Sequence, residues 1–163
     1  MEVVGFKCFN KGLTNRYGKK FSVGKLYLSS GIIKFGIKGN GFHLCKNIED
    51  TFRYFDALKE EVEVCVVKGS GEINESYDDY NGYYDMYCVE KMEILKHLNR
   101  SEIINLGLNL HPLRAKRFVS SFKLKSEEII LFKEKYKTEI DVIDAIAYYQ
   151  EDDKKVYERK YSK

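Results

Sequence analysis

An α+β fold is predicted for this 163-residue chain: a small mixed, mainly antiparallel sheet domain over residues 1–96, then three to four helices packed on it over residues 97–163. Three observations carry the prediction. Eleven of the twelve glycines lie before Tyr83 and only Gly107 follows, so turns and extended segments crowd into the first half. Apolar residues there come in short β-branched and aromatic runs, whereas beyond residue 100 they recur at helical spacing behind capping residues. Charge divides at the same place: residues 1–95 hold 13 Lys+Arg against 14 Asp+Glu, and residues 96–163 hold 15 against 11. The net charge of +3 thus conceals a basic helical half behind a near-neutral, tyrosine-rich one.

Element by element, Val3–Phe9 is a β-rich opening run closed by the turn Asn10-Lys11-Gly12. Phe21–Leu28 reads as a second extended segment interrupted by Gly24, and Ile32–Phe35 as a third. Gly39-Asn40-Gly41 is a strong turn signal before the short strand Phe42–Cys45. Asn47 suits an N-cap, with Ile48, Phe52 and Phe55 at helical spacing as far as Asp56. Val62–Val67 is the clearest strand, and a turn is expected at Gly69-Ser70-Gly71. Two closing strands, Asp85–Val89 and Met92–Leu95, follow a tyrosine-rich stretch. In the second half Ser101 caps a helix carrying Ile103, Ile104 and Leu108. Pro112 opens the next, Ser126 with Glu127 and Glu128 caps a third, and Thr138-Glu139 starts a fourth.

Composition sets the class. With 44% hydrophobic and 33% charged residues the chain can bury a core, which excludes a disordered chain. No apolar run reaches the ~18 residues of a membrane span, and the N-terminus lacks the basic start and apolar stretch of a secretory signal. A soluble, cytoplasmic protein with no membrane partner is expected. The net charge is too small by itself to imply a nucleic-acid partner. Cys8, Cys45, Cys65 and Cys88 contain no CxxC pair, so buried reduced thiols are expected ahead of a metal site or disulfides.

Three features suggest chemistry. His43 stands on a short strand just before a helix N-terminus, a place suited to ligand binding; a partly buried histidine bonded to backbone is the plainer alternative. The tyrosines from Tyr77 to Tyr87, with Tyr80, Tyr83 and Tyr84 at their centre, read as a loop over a cleft, a surface for a protein partner, or ordinary packing. No acidic residue occurs from Ile103 through Ser126, while Arg114, Lys116, Arg117, Lys123 and Lys125 accumulate there. That basic helix offers a nucleic-acid or acidic-protein contact, or simply a solvated face. Gly69-Ser70-Gly71 lacks the lysine and following helix of a phosphate-binding loop.

The block from Gly39 through Phe42-His43-Leu44-Cys45 to Tyr54 resembles the second conserved block of the ADP-ribosyltransferase superfamily. Glu63–Gly69 resembles that family's central strand, and Asp85–Ile94 its closing block. A nearer likeness is to an uncharacterised domain of bacterial and phage proteins. It rests on Gly5-Phe6-Lys7-Cys8-Phe9, Val23-Gly24-Lys25-Leu26-Tyr27 and the G-F-H-x-C block Gly41–Cys45. The transferase resemblance implies NAD as cofactor. It places Lys7 near the phosphates or ribose, His43 in the nicotinamide pocket, Gly41 and Tyr54 among the cofactor-binding residues, and Asp85 as the carboxylate that stabilises the departing cationic sugar. His43 and Asp85 are then the catalytic candidates, and no metal is implied. Active members carry His or Arg where this chain has Lys7, an aromatic or Ser where it has His43, and Glu where it has Asp85. A reach error of about 1 Å can cost ~10²-fold in rate, so these departures point to a diverged, non-catalytic binding module. An active NAD-dependent transferase acting on a macromolecule is the first alternative, and a nucleic-acid-binding protein using residues 112–125 the second.

Overall fold

The computed structural model describes residues 1–77 and 85–152, and the chain is a mixed α+β protein whose antiparallel sheet closes into a small barrel. Its strands are β1 (Val3–Phe9), β2 (Leu26–Leu28), β3 (Phe42–Cys45), β4 (Glu63–Tyr77) and β5 (Asp85–His97). Its helices are α1 (Ile48–Thr51), α2 (Arg100–Leu108), α3 (Pro112–Val119), α4 (Ser126–Lys135) and α5 (Ile140–Tyr149). The strand order is β2-β5-β3-β1-β4, and pairing of β4 with β5 completes the ring. In the ring β5-β3-β1-β4 every strand is paired on both sides, and β2 adds to β5 beyond β3.

Several local expectations are corrected, each by a tertiary cause. The two closing strands are one, β5, because both its edges are engaged: β4 along one, β3 and then β2 along the other. Gly69-Ser70-Gly71 is not a turn. β4 runs through it with a register shift between Ser70 and Ile73, and Gly71 takes φ +76° at this bulge. Glu90 braces the bulge by accepting from the backbone N–H of Glu72 at 2.9 Å. Ile32–Phe35 forms no strand; only an isolated bridge, Ile33 to Asn40, survives there. Of Phe21–Leu28, only Leu26–Leu28 joins the sheet. The helix after Asn47 is a single turn followed by a 3₁₀ turn over Phe52–Tyr54.

Helix starts shift by a residue or two. Asn99, not Ser101, caps α2, in a capping box in which its side chain accepts from the Glu102 N–H at 2.9 Å and Glu102 accepts from the Asn99 N–H. Lys125 precedes α4, and Glu128 reaches back to accept its backbone N–H at 2.7 Å. Pro112 opens α3 as expected.

Two apolar clusters hold the molecule. Phe9, Leu44, Cys65, Val67, Val89, Met92 and Ile94, with Phe21 and Tyr27 over them, fill the barrel. On the outer face, Cys8 and Val64 join Ile48 and Phe52 to Ile103, Phe118, Phe122, Phe132 and Ile146. The helices therefore pack on one face of the sheet, where their apolar stripes are buried. All four cysteines are buried free thiols. No described helix is long and apolar enough to cross a membrane.

Candidate functional site

β1 and β3 pair only at Phe6 and Cys45. Where the two strands part, a cavity of about 580 Å³ opens, walled also by the 15–21 loop and by Thr51, Tyr54 and Phe55 after β3. Lys7, Gly41, His43 and Tyr54, widely separated in sequence, all line it.

Each is placed by its neighbours. Lys7 projects from β1 and its Nζ donates to the His43 carbonyl oxygen at 2.8 Å, bridging the gap between the strands. His43 lies opposite Cys88 on β5 and its ring, at the cavity, stands 5.1 Å from that of Phe35, tilted by 44°. Tyr54 directs its hydroxyl to the Met86 sulfur at 2.7 Å. Gly41 has φ +114°, and a Cβ there would lie 2.6 Å from the Cys88 sulfur, so the turn into β3 admits little else.

The remaining wall is a loop that sequence reading passed over. The Asn15 side-chain oxygen accepts from the backbone N–H groups of Tyr17 and Lys19 at 3.0 and 2.9 Å, while the Asn15 N–H donates to the Lys19 carbonyl at 2.9 Å. This knot holds Arg16, Tyr17 and Lys19 at the cavity. Lys19 Nζ sits 5.3 Å from the Phe21 ring centre and 5.5 Å from that of Tyr27. The available signal was Asn15 followed by Gly18-Lys19-Lys20, a turn pattern carrying three cations within five residues.

The electrostatics are one-sided. Lys7, Arg16, Lys19 and His43 line the cavity, and among the described residues no carboxylate does. Burial, with Arg16 adding to it, holds the Lys7 amine below the usual lysine range. Burial and then Lys7 lower the His43 pKa, favouring neutral imidazole. Cys8 and Cys45, also on the wall, are pushed up to about 12 by burial and stay un-ionised, so neither offers a ready thiolate.

Asp85 is not brought to this cavity. Strand alternation from the pairs Leu44–Tyr87 and Cys45–Met86 puts it with Tyr87 and Leu44, on the face opposite His43. Its backbone carbonyl accepts from the Lys46 N–H at 3.0 Å.

The basic helix also departs from expectation. Arg114 and Arg117 turn inward to α1: Arg114 Nε donates to Glu49 at 2.5 Å, and Arg117 reaches Glu49 at 3.1 Å and Asp50 at 3.2 Å. Both carboxylates are buried, so these arginines answer an internal need. Glu49 and Asp50 also fill the first turn of α1, so that one-turn helix holds its own acids rather than a ligand's. Lys116 is half-buried; Lys123 and Lys125 are exposed beside a second cavity of about 660 Å³, whose lining mixes both signs of charge. Tyr80, Tyr83 and Tyr84 lie outside the described residues.

Fold and site together define an α+β domain whose small barrel carries a cationic, ring-lined cavity at the parting of two strands. Residues 3–106 match the family described as Domain of unknown function (DUF7666), and the chain belongs to that family. The match runs through the whole barrel and into α2. Comparison with curated proteins and with solved structures found no match.

Proposed function

We propose that this protein is a diverged, non-catalytic ADP-ribosyltransferase-like module that binds an anionic, ring-bearing ligand of the nucleotide class, with NAD the first candidate. The observation that carries the reading is the cavity lining: three cations and a histidine beside Tyr17, Phe42, Tyr54 and Phe55, with no carboxylate among the described residues. Phosphates need cations and base rings need aromatic faces, and about 580 Å³ lies within the ~300–1,000 Å³ of small-molecule sites. Lys7, Arg16 and Lys19 would hold the pyrophosphate, and Tyr54, Phe55 and His43 would face a base. NAD supplies, when bound, an ADP-ribosyl group with nicotinamide as leaving group. Transfer calls for an anion at the departing sugar, and Asp85 is not among the residues that line the cavity, which favours binding over catalysis.

Calorimetry with NAD tests this reading. Saturable heat at millimolar NAD or tighter is expected, weakened at least about fivefold by Arg16→Ala, with no free nicotinamide on prolonged incubation. No heat at millimolar NAD would defeat the nucleotide assignment, and nicotinamide release would reinstate the enzyme. The basic-helix reading is less favoured, because Arg114 and Arg117 are committed to Glu49 and Asp50.

A further inference from the structure

Lys7 combines three properties. It is half-buried on a strand, which fixes its stem. Its Nζ has the His43 carbonyl as a hydrogen-bond acceptor, and no carboxylate pairs with it among the described residues. It also lines an open cavity. A half-buried lysine without a counter-ion, beside the Arg16 cation, gives up its proton more readily than a fully hydrated one, and the amine so released is a nucleophile. Lys19 and Lys20, on the neighbouring loop, are exposed.

We propose that Lys7 is a covalent attachment site, whose Nζ condenses with the carbonyl carbon of an aldehyde bearing a phosphate group and an aromatic ring. The nitrogen lone pair adds to the carbonyl carbon, and a proton passes from nitrogen to oxygen to give a carbinolamine. Loss of that oxygen as water, carrying both hydrogens of the original amine, leaves a C=N bond between ligand and Lys7. No oxidant or reductant is consumed. Arg16 and Lys19 grip the phosphate, and Tyr54 and Phe55 flank the ring. The His43 carbonyl keeps the amine at the strand gap, 2.8 Å away, so the attacking atom is positioned before the ligand arrives. This goes beyond nucleotide binding, since it concerns one amine and needs only an anionic carbonyl compound in the same cavity.

The test uses pyridoxal 5′-phosphate as probe on the whole chain. One equivalent is added at neutral pH, the imine is reduced with borohydride, and the labelled lysine is located by peptide mass mapping. Labelling of Lys7 at least about tenfold above any other lysine is expected, with competition by inorganic pyrophosphate and loss in Lys7→Arg. Label spread over the exposed lysines, or no competition by pyrophosphate, would overturn the proposal. The wild-type map decides even if Lys7→Arg folds poorly. Lys7 labelling without NAD heat removes the nucleotide reading alone; NAD heat without Lys7 labelling removes this one alone.

Discussion

Lys7, His43 and Gly41 show how little of a side chain's role is carried by its type. Lys7 is one lysine among many until the parting of β1 and β3 half-buries it against the His43 carbonyl. Gly41 was legible as a turn residue, but not why alanine would fail there. Its backbone is left-handed, and the space for a Cβ is taken by the Cys88 sulfur at 2.6 Å. Gly41→Ala is expected to cost about 1–3 kcal/mol, read as a lowered denaturant midpoint, and to weaken ligand binding by displacing β3. An unchanged midpoint would mean that the turn relaxes freely.

Among the elements, α1 and α3 form the most telling pair. The sequence shows Glu49-Asp50 at a helix start and Arg114 and Arg117 on another helix; that all four meet in a buried cluster depends on how α3 lies against α1. Arg117→Met leaves Glu49 and Asp50 short of a cation and is expected to destabilise the fold by about 3–5 kcal/mol, whereas Lys123→Met should change little. Equal, small effects in denaturant titrations would restore the view of α3 as a free basic face.

Asp50 makes the same cluster pH-dependent. Burial pushes its pKa up to about 6 from the ordinary 3.8 of an aspartate, against the opposing pull of Arg117. Between those values the folded chain holds a proton that the unfolded chain has released. This contribution is therefore fully present at low pH and is lost as pH rises through about 6. Wild-type stability measured against Asp50→Asn should accordingly fall by about 2 kcal/mol between roughly pH 4 and pH 6.5. A constant difference across that range would show that the carboxylate titrates normally.

At the scale of the whole molecule, the division near residue 96 is a change of architecture, and one apolar cluster runs across it. Cys8 and Val64 of the barrel share that cluster with Phe118, Phe132 and Ile146 of the helices. A fragment ending at His97 would expose that face to water. It is expected to be unfolded or aggregated by circular dichroism and gel filtration, while the full chain melts in one transition. A soluble, cooperatively folded fragment would show that the barrel stands alone.

What could be read without a fold were local signals with local causes: the glycine-rich strand half, β1, β3, and the helix opened by Pro112. Of the cavity-lining residues, His43 was singled out by its place before a helix start and Lys7 and Tyr54 through resemblance, with spacing silent on whether they meet. Strand mergers, the bulge at Gly71 and the inward turn of Arg114 and Arg117 escaped, because each depends on a partner distant in sequence. Periodicity reports which face of an element is apolar, since that follows from its own backbone repeat. It does not report which element will cover that face, or which charge will meet which. Tertiary packing decided those questions: α3 lying on α1 joined arginines to acids, and barrel closure set β3 against β1 at one residue pair, leaving a gap beside it lined with cations.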